Sequence, residues 1–345
     1  MKTRDLVVVG ASAGGVEALS RFVAGLPEDL PATVLVVMHL SPRGPSALPA
    51  ILARSGNLPV RTATPREPLR HGVVLVGPPD HHMTVTEDGT VSLVAGPHEN
   101  GYRPAVDVLF RTAARALGPR VIAVVLSGNL DDGTAGAAAV RAQGGLVFVQ
   151  AAEDALHPAM PTSARDRAGA DLVADANRLA DAVVQRCAEV VDESLAVPAE
   201  ITLRQEADVA HGDPESFDED RVGGPSGLTC PDCQGSLYTV EDGPLLRFRC
   251  RVGHAWSMDS LAQQHEQSVE TALWTALRTL EEKADFCARL ASRAISEERP
   301  HTAQRLHHSI ETARRSADKI KELLAELDPS RPEPHHDEGT VAAGE

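Results

Sequence analysis

The sequence predicts an α/β protein. We expect a doubly wound, mostly parallel sheet in a Rossmann-like three-layer arrangement with an antiparallel edge hairpin, followed by a small zinc ribbon and a C-terminal helical hairpin. Three observations lead there. Between Asp5 and about Val191, short β-branched runs alternate with Ala/Leu-rich helical patterns, as successive βαβ units require. Cys230, Cys233, Cys250 and His254 then fall into two knuckle-like pairs. From Leu273 onward, apolar residues recur at alternating spacings of four and three in two separate blocks.

Composition narrows the class. A chain of 345 residues allows two or three domains, and 42% hydrophobic with 24% charged residues suits a globular chain with a core of Val, Leu and Ala. Collagen-like, mucin-like and wholly disordered classes are excluded. The net charge of −16 is uneven: residues 1–192 carry −3 and residues 193–345 carry −13. Such an acidic surplus repels phosphate backbones and anionic lipid, so nucleic acid is not expected as a partner. The opening Met-Lys-Thr-Arg-Asp leads into an apolar strand too short for a signal peptide, and no long apolar run follows. We therefore expect a cytoplasmic protein with no direct membrane insertion.

Candidate strands lie at 5–9, 33–38, 58–62, 72–76, 121–126, 146–149 and 171–173, and candidate helices at 14–25, 45–54, 104–117, 133–143 and 177–191. Residues 82–95 alternate around Asp88-Gly89, the turn signal of an antiparallel hairpin. The first domain is read as 1–195. Residues 196–226 lose periodicity and gather acidic residues, proline and glycine, as a flexible linker does. A ribbon at 227–258, a helical hairpin at 259–328 and a disordered tail at 329–345 complete the chain. For the helical hairpin, Leu273, Leu277, Leu280, Ala284, Cys287, Ala291 and Ala294 repeat at four-three spacing, as do Leu306, Ile310, Ala313, Ala317, Ile320, Leu324 and Leu327.

The first strand runs into G-A-S-A-G-G, so Gly10, Ser12 and Gly14 form G-x-S-x-G at a strand-to-helix turn. Small neighbours would leave the Ser12 hydroxyl exposed beside a helix N-terminus, as an activated nucleophile needs. A phosphate loop and a plain tight turn remain alternatives. Against a dinucleotide loop, serine replaces the middle glycine and the second strand ends in Met38-His39 rather than in an acidic residue. Neighbouring parallel strands end on one edge of a sheet, which brings His39 within reach of Ser12 as a general base. A third strand ends in N-L-D-D-G-T, supplying Asp131 or Asp132 to orient the imidazole, although either could instead cap the following helix.

Four ordered stretches, V-V-V-G-A-S-A-G-G-V-E-A-L, V-V-M-H-L-S-P, Y-R-P-A-V-D-V-L-F and V-V-L-S-G-N-L-D-D-G-T-A-G-A, resemble the catalytic domain of bacterial chemotaxis protein-glutamate methylesterases over residues 4–190. The resemblance implies Ser12 as nucleophile, His39 as base and Asp132 as orienting acid. It also implies a reaction: hydrolysis of γ-glutamyl methyl esters, with related amidase activity on glutamine, and no catalytic cofactor. It suggests oxyanion or substrate roles for Ala13, Asn129, His82 and Arg103. Arg103 and Asp107 could equally form a structural ion pair. The chain departs from the family pattern at Ala13 and at Leu130-Asp131. It begins almost at the first catalytic strand, so a stand-alone form without a receiver domain is expected, with any phosphorelay control arriving from a separate protein or through the C-terminal segment; a separate receiver or methyltransferase is a further partner this implies.

Two ligand pairs separated by 16 residues suit tetrahedral Zn²⁺, and a segment of about 30 residues buries too little apolar area to fold without such help. The implied partner is a methyl-accepting chemoreceptor or an analogous signalling protein, and the C-terminal helices offer a face for homo-oligomer formation. Two competing readings are a catalytically weak scaffold that binds partners through ribbon and helices, and a nucleotide-binding regulator using the glycine loop.

Overall fold

The computed structural model describes residues 2–39, 44, 46–191, 201–210, 223–242 and 245–327. Two compact units divide the chain, residues 1–262 and 263–345. In the first, β1 (Lys2–Thr3) leads into β2 (Leu6–Ala11), α1 (Gly15–Ala24), β3 (Thr33–Met38), α2 (Leu48–Ser55), β4 (Val60–Thr62), β5 (Glu67–Pro68) and β6 (Val73–Val76). The hairpin β7 (His82–Val85) and β8 (Thr90–Val94) follows, then α3 (Val106–Leu117), β9 (Val121–Val125), α4 (Thr134–Ala142) and β10 (Leu146–Gln150). After these come α5 (Ala159–Ser163), β11 (Leu172–Ala174), α6 (Ala176–Cys187) and β12 (Val190–Val191), which pairs back antiparallel with β1.

Seven parallel strands lie in the order β11-β10-β9-β2-β3-β6-β4. Successive strand residues point to opposite faces, so β2 feeds two cores. Leu6 and Val8 join Leu109, Phe110 and Ala137 from α3 and α4, whereas Val7 and Val9 join Leu19, Phe22 and Leu179 from α1 and α6. Burial on both faces explains why these strands read as unbroken apolar runs. The chain leaves β2 toward β3 on one side and returns as β9 on the other. The crevice at such a reversal, outside the carboxyl ends of the strands, is where open α/β sheets bind ligands.

The hairpin β7–β8 pairs with β5 in a separate three-stranded sheet, order β5-β8-β7, rather than extending the edge of the main sheet. Its Val85 N–H donates to Thr112 Oγ1 of α3 at 3.2 Å, which fixes it over that helix. Within the expected linker, residues Ile201–Ala210 form a helix, α7. Leu203, Ala207 and Val209 are buried, and Glu206 is only 5% exposed. The acidic composition concealed this short apolar face, because Glu206 owes its burial to arginines supplied by distant segments. Of the other linker residues, 196–200 and 211–222 lie outside the described residues, and Pro225 begins the next strand.

The ribbon is a four-stranded antiparallel sheet of β13 (Pro225–Thr229), β14 (Ser236–Asp242), β15 (Leu245–Cys250) and β16 (Ala255–Ser257), in sequence order. Its small core holds Leu237, Phe248, Trp256 and Leu261 around Cys230 and Cys250. Then α8 (Met258–Ser296) and α9 (Pro300–Glu326) follow. Within the second unit, Ala284, Cys287 and Ala291 pack against Ile310 and Ala313, and Lys321 Nζ meets Glu281 at 2.8 Å, the pairing of an antiparallel hairpin. The tail at 329–345 lies outside the described residues. No helix among the described residues is long and apolar enough to cross a membrane.

His82 of β7 is 2% exposed. Its Nε2 pairs with the Pro97 carbonyl at 2.8 Å, and its Nδ1 accepts the Ala105 N–H at 3.2 Å. That fixes the neutral Nε2–H tautomer, and burial pushes the pKa from 6.5 down to about 4. The unfolded chain therefore binds a proton that the folded chain refuses between pH 6.5 and 4. Stability should be full above pH 6.5 and fall by up to about 3 kcal/mol as the pH drops through that window. Urea midpoints measured between pH 7 and pH 4 should show this slope, and a His82→Gln variant should show a shallower one.

Candidate active site

The ladders flanking β2 continue past its last residue. His39 N–H donates to Ala11 O at 3.3 Å, and Ser12 N–H donates to Ser127 O at 2.9 Å. Ser12 and His39 are thereby carried out on adjacent strand ends. Two glycines hold the turn. A Cβ at Gly10 would lie 2.2 Å from Val106 Cγ1, and Gly14 takes φ +70° as it caps α1, with Ser127 Oγ 2.7 Å from where its Cβ would stand.

Ser12 Oγ lies 3.0 Å from His39 Nδ1, and His39 Nε2 lies 2.6 Å from Asp132 Oδ2. The structure thus brings together three side chains separated by up to 120 positions, in the geometry of a nucleophile, its base and an orienting carboxylate. The imidazole presents Nδ1 to the hydroxyl and Nε2 to the carboxylate, the reverse of the arrangement in chymotrypsin-like enzymes. Its side chain is only 5% exposed, and the Tyr102 ring stacks on it with centroids 3.6 Å apart and planes 7° from parallel.

Asp132, not Asp131, meets the imidazole. Val106 N–H donates to its Oδ2 at 2.7 Å, while Asp107 N–H (3.1 Å), Gly133 N–H (3.0 Å) and Asn100 Nδ2 (3.2 Å) donate to its Oδ1. Two of these donors belong to the first turn of α3, whose dipole also favours an anion. Burial raises the Asp132 pKa, but the bonds from His39 and from these backbone N–H groups outweigh it and hold the carboxyl below its ordinary value. Asp131 turns toward the ribbon, accepting Ser257 Oγ at 2.6 Å and pairing with Arg167 at 3.2 Å.

The remaining expected residues separate. The turn around Ser12 and the segment after β9 supply the Ala13 and Asn129 N–H groups, and among the described residues neither is bonded to a protein acceptor. His82 is buried with both ring nitrogens bound by the backbone, which leaves none for a substrate. Arg103 gives its guanidinium to Asp80, at 2.9 and 2.5 Å, and to the Gly96 carbonyl. The alternative Arg103–Asp107 ion pair does not form: Arg103 pairs with Asp80, and the buried Asp107 accepts Gly136 N–H at 2.6 Å. Burial, then the charges of Asp132 and Glu99, raises the Asp107 pKa well above the usual value.

Sequence reasoning missed Asn100 and Tyr102. Glu99 and Tyr102 exchange two backbone hydrogen bonds across Asn100-Gly101, whose φ values are +54° and +78°. Positive φ at both central residues marks a type I′ turn, and the Asn-Gly pair was its legible signal.

In the ribbon, the ligand atoms of Cys230, Cys233, Cys250 and His254 lie within 4.8 Å of one another, and these four could hold a metal ion. Cys233 Sγ and Cys250 Sγ are 3.6 Å apart, and His254 Nδ1 is 3.5 Å from Cys250 Sγ. Bonds of about 2.3 Å from sulfur to a tetrahedral centre would set sulfurs roughly 3.8 Å apart, so the donor set fits. The Asp232 carboxylate stands 3.8 Å from His254 Nε2, where an outer carboxylate would orient a ligating imidazole.

A family model described as CheB methylesterase matches residues 7–183. The chain is 36% identical over 189 residues to protein-glutamate methylesterase/protein-glutamine glutaminase 2 of Methanosarcina acetivorans, covering 53% of each chain. It is 41% identical over 178 residues to protein-glutamate methylesterase/protein-glutamine glutaminase 3 of Anaeromyxobacter dehalogenans, covering 51% of this chain and 52% of that one. It spans about half the length of each of these two relatives. The crystal structure of the Thermotoga maritima CheB methylesterase catalytic domain superposes with a TM-score of 0.51 at 32% identity, over 52% of this chain and 97% of that one. On the family model, which takes in all three residues of the hydrogen-bonded chain from Ser12 to Asp132, the protein belongs to the CheB methylesterase family.

Proposed function

We propose that this chain is a serine hydrolase that removes methyl groups from glutamate γ-methyl esters on chemoreceptor-type proteins, releasing methanol, and that it deamidates glutamine by the same route. The observation that carries this reading is the continuous Ser12–His39–Asp132 hydrogen-bonded chain at the carboxyl edge of the sheet. The names of its relatives support the substrate class.

Ser12 Oγ attacks the ester carbonyl while His39 Nδ1 takes its proton. Asp132 stabilises the imidazolium that results, and the N–H groups of Ala13 and Asn129 serve as donors to the oxyanion. His39 returns the proton to the departing methoxide, which leaves as methanol. A water activated by His39 then attacks the acyl-enzyme, freeing Ser12 and the glutamate carboxyl group. None of these steps calls for a cofactor. The protein works in the cytoplasm, where reduced cysteines and receptor signalling helices are both found.

We assign Zn²⁺ to the Cys230, Cys233, Cys250 and His254 site as a structural ion. Three thiolates and one imidazole suit it, and a ribbon whose core holds so few large apolar residues needs the help.

Methanol release from methylated receptor fragments tests the reaction. Ser12→Ala should abolish it, and equal release by both proteins would refute the serine mechanism. Asp132→Asn should lower kcat by roughly 10³- to 10⁴-fold, since an amide favours the wrong imidazole tautomer. Metal analysis of the full chain should find one equivalent of zinc, and Cys233→Ser should lose it.

A further inference from the structure

The ribbon and the triad share a neighbour. Residues 98–102 run between them, and each side of this segment is held by a different partner. On the ribbon side, Ala255 N–H donates to His98 O at 3.2 Å, Asn100 N–H donates to Ala255 O at 2.8 Å, and Ser257 N–H donates to Asn100 Oδ1 at 2.8 Å. Strand β16 thus grips the segment as a short extra ladder, and a Cβ at Gly101 would stand only 3.5 Å from the Trp256 ring. On the triad side, Asn100 Nδ2 donates to Asp132 Oδ1 at 3.2 Å, and Tyr102 stacks on His39.

The carboxamide of Asn100 is therefore oriented by the ribbon. Its oxygen is taken by Ser257 N–H, so its nitrogen faces the carboxylates of Asp132 and, at 3.3 Å, Asp107, and the two ends cannot be exchanged without losing all three bonds. The metal site bears on the same strand. Cys250 ends β15 and His254 directly precedes β16, and the turn between them is closed by Cys250 N–H to His254 O at 3.0 Å. A metal bound there would fix the β15–β16 register, in which Arg249 faces Ala255 and Arg247 faces Ser257.

We propose that the ribbon is a metal-dependent positioning element for the catalytic triad, acting through Asn100, whose carboxamide is held by β16 and in turn holds Asp132 against His39. This rests on the triad and metal readings above and adds a regulatory link: occupancy of the Cys230, Cys233, Cys250 and His254 site sets the reactivity of Ser12. Asn100 is a positioning residue, since it touches the carboxylate and not the substrate. Loss of the ion would loosen β16, free the 98–102 turn, and let Asp132 and the Tyr102-backed imidazole drift from their line with Ser12.

The test uses the full chain and a serine-directed fluorophosphonate probe, whose rate of Ser12 labelling reads nucleophile activation without any receptor substrate. Three samples are compared: metal-loaded wild type, wild type stripped by a chelator, and metal-loaded Asn100→Gly, a change that keeps the positive φ and the backbone bond to Ala255. Stripping and Asn100→Gly should each slow labelling by about 10- to 100-fold, the range expected when a group that orients another is lost. Zinc added back should restore the stripped protein. The far-downfield proton resonance of the short His39–Asp132 hydrogen bond should be present in the loaded wild type, and lost or shifted in the other two. Asn100→Gly should retain its zinc equivalent and lose kcat with KM nearly unchanged, which a general loosening of the fold would not produce. Unchanged labelling and an unchanged downfield proton after verified metal removal would overturn the proposal, as would wild-type labelling by Asn100→Gly. If the loaded wild type released no methanol yet labelled in a metal-dependent way, the substrate reading would fall while the positioning role stood.

Discussion

A carboxylate sealed from water at the carboxyl edge of the sheet governs how the surrounding chain is built. Burying an ionised carboxyl costs several kcal/mol unless its lone pairs are occupied by well-placed donors. Asp132, 1% exposed, meets that demand with two N–H groups from α3, its neighbour's N–H at Gly133, the Asn100 amide and the His39 imidazole. The start of α3 must therefore point at the end of β9, and Gly133, whose N–H is one of the donors, takes φ +93° where the chain turns into α4. Asp107 sits in the same pocket, where burial first and then the charge of Asp132 raise its pKa. Asp132 takes the larger share of the donors, while Asp107 accepts Gly136 N–H at 2.6 Å and Asn100 Nδ2 at 3.3 Å.

A second buried charge cluster joins three stretches of sequence that have no local reason to meet. Glu99 forms two bonds to Arg111 at 2.6 Å, and Glu206 of α7 receives Arg247 at 2.5 Å and Arg249 at 2.9 Å while Arg111 Nε lies 3.2 Å away. All five side chains are at most 5% exposed. Such a cluster is weak evidence for stability, because desolvation consumes most of the attraction. Its value here is specificity. An apolar patch would accept α7 and β15 in many registers, whereas forked arginines facing carboxylates accept few. The outcome is one fixed seating of the ribbon beside the 98–102 turn.

The strands of the main sheet were legible because both of its faces are covered, which writes each strand as a continuous run of Val, Leu and Ile. Ser12, His39 and Asp132 were legible for a related reason: each follows such a run directly, so the parallel topology alone sends them to one edge. What could not be read depends on pairings between distant segments. The apolar face of α7, with Leu203 and Ala207, is a single turn pair within acidic sequence, and its Glu206 looks like a linker residue until Arg247 and Arg249 are brought to it. Arg103 and Asp107 stand four apart and invited pairing, yet the helix begins between them and turns Asp107 inward. Asn100-Gly101 carried a plain turn signal, but nothing local indicated that the asparagine would face the buried carboxylate that meets His39.

The arginines of β15 show how far the same composition can mislead. Arg247, Arg249 and Arg251 alternate in the sequence, a stripe that could meet phosphate, but only Arg247 and Arg249 share a face of β15, and Arg251 follows in the exposed turn. Phosphate contact needs guanidinium groups that water can reach. Arg247 and Arg249 are each 4% exposed, and Glu206 takes donors from both forks, with the Gly253 carbonyl taking another from Arg249. Pulling them out to meet a nucleic acid would leave Glu206 and Glu99 buried without counter-charges, a cost that a few phosphate contacts would not offset. The excess negative charge of residues 193–345 acts in the same direction, since it repels the polyanion before any contact forms. The positive charge of Arg247 and Arg249 is thus directed inward, to Glu206 of α7 and Glu99 of the 98–102 segment.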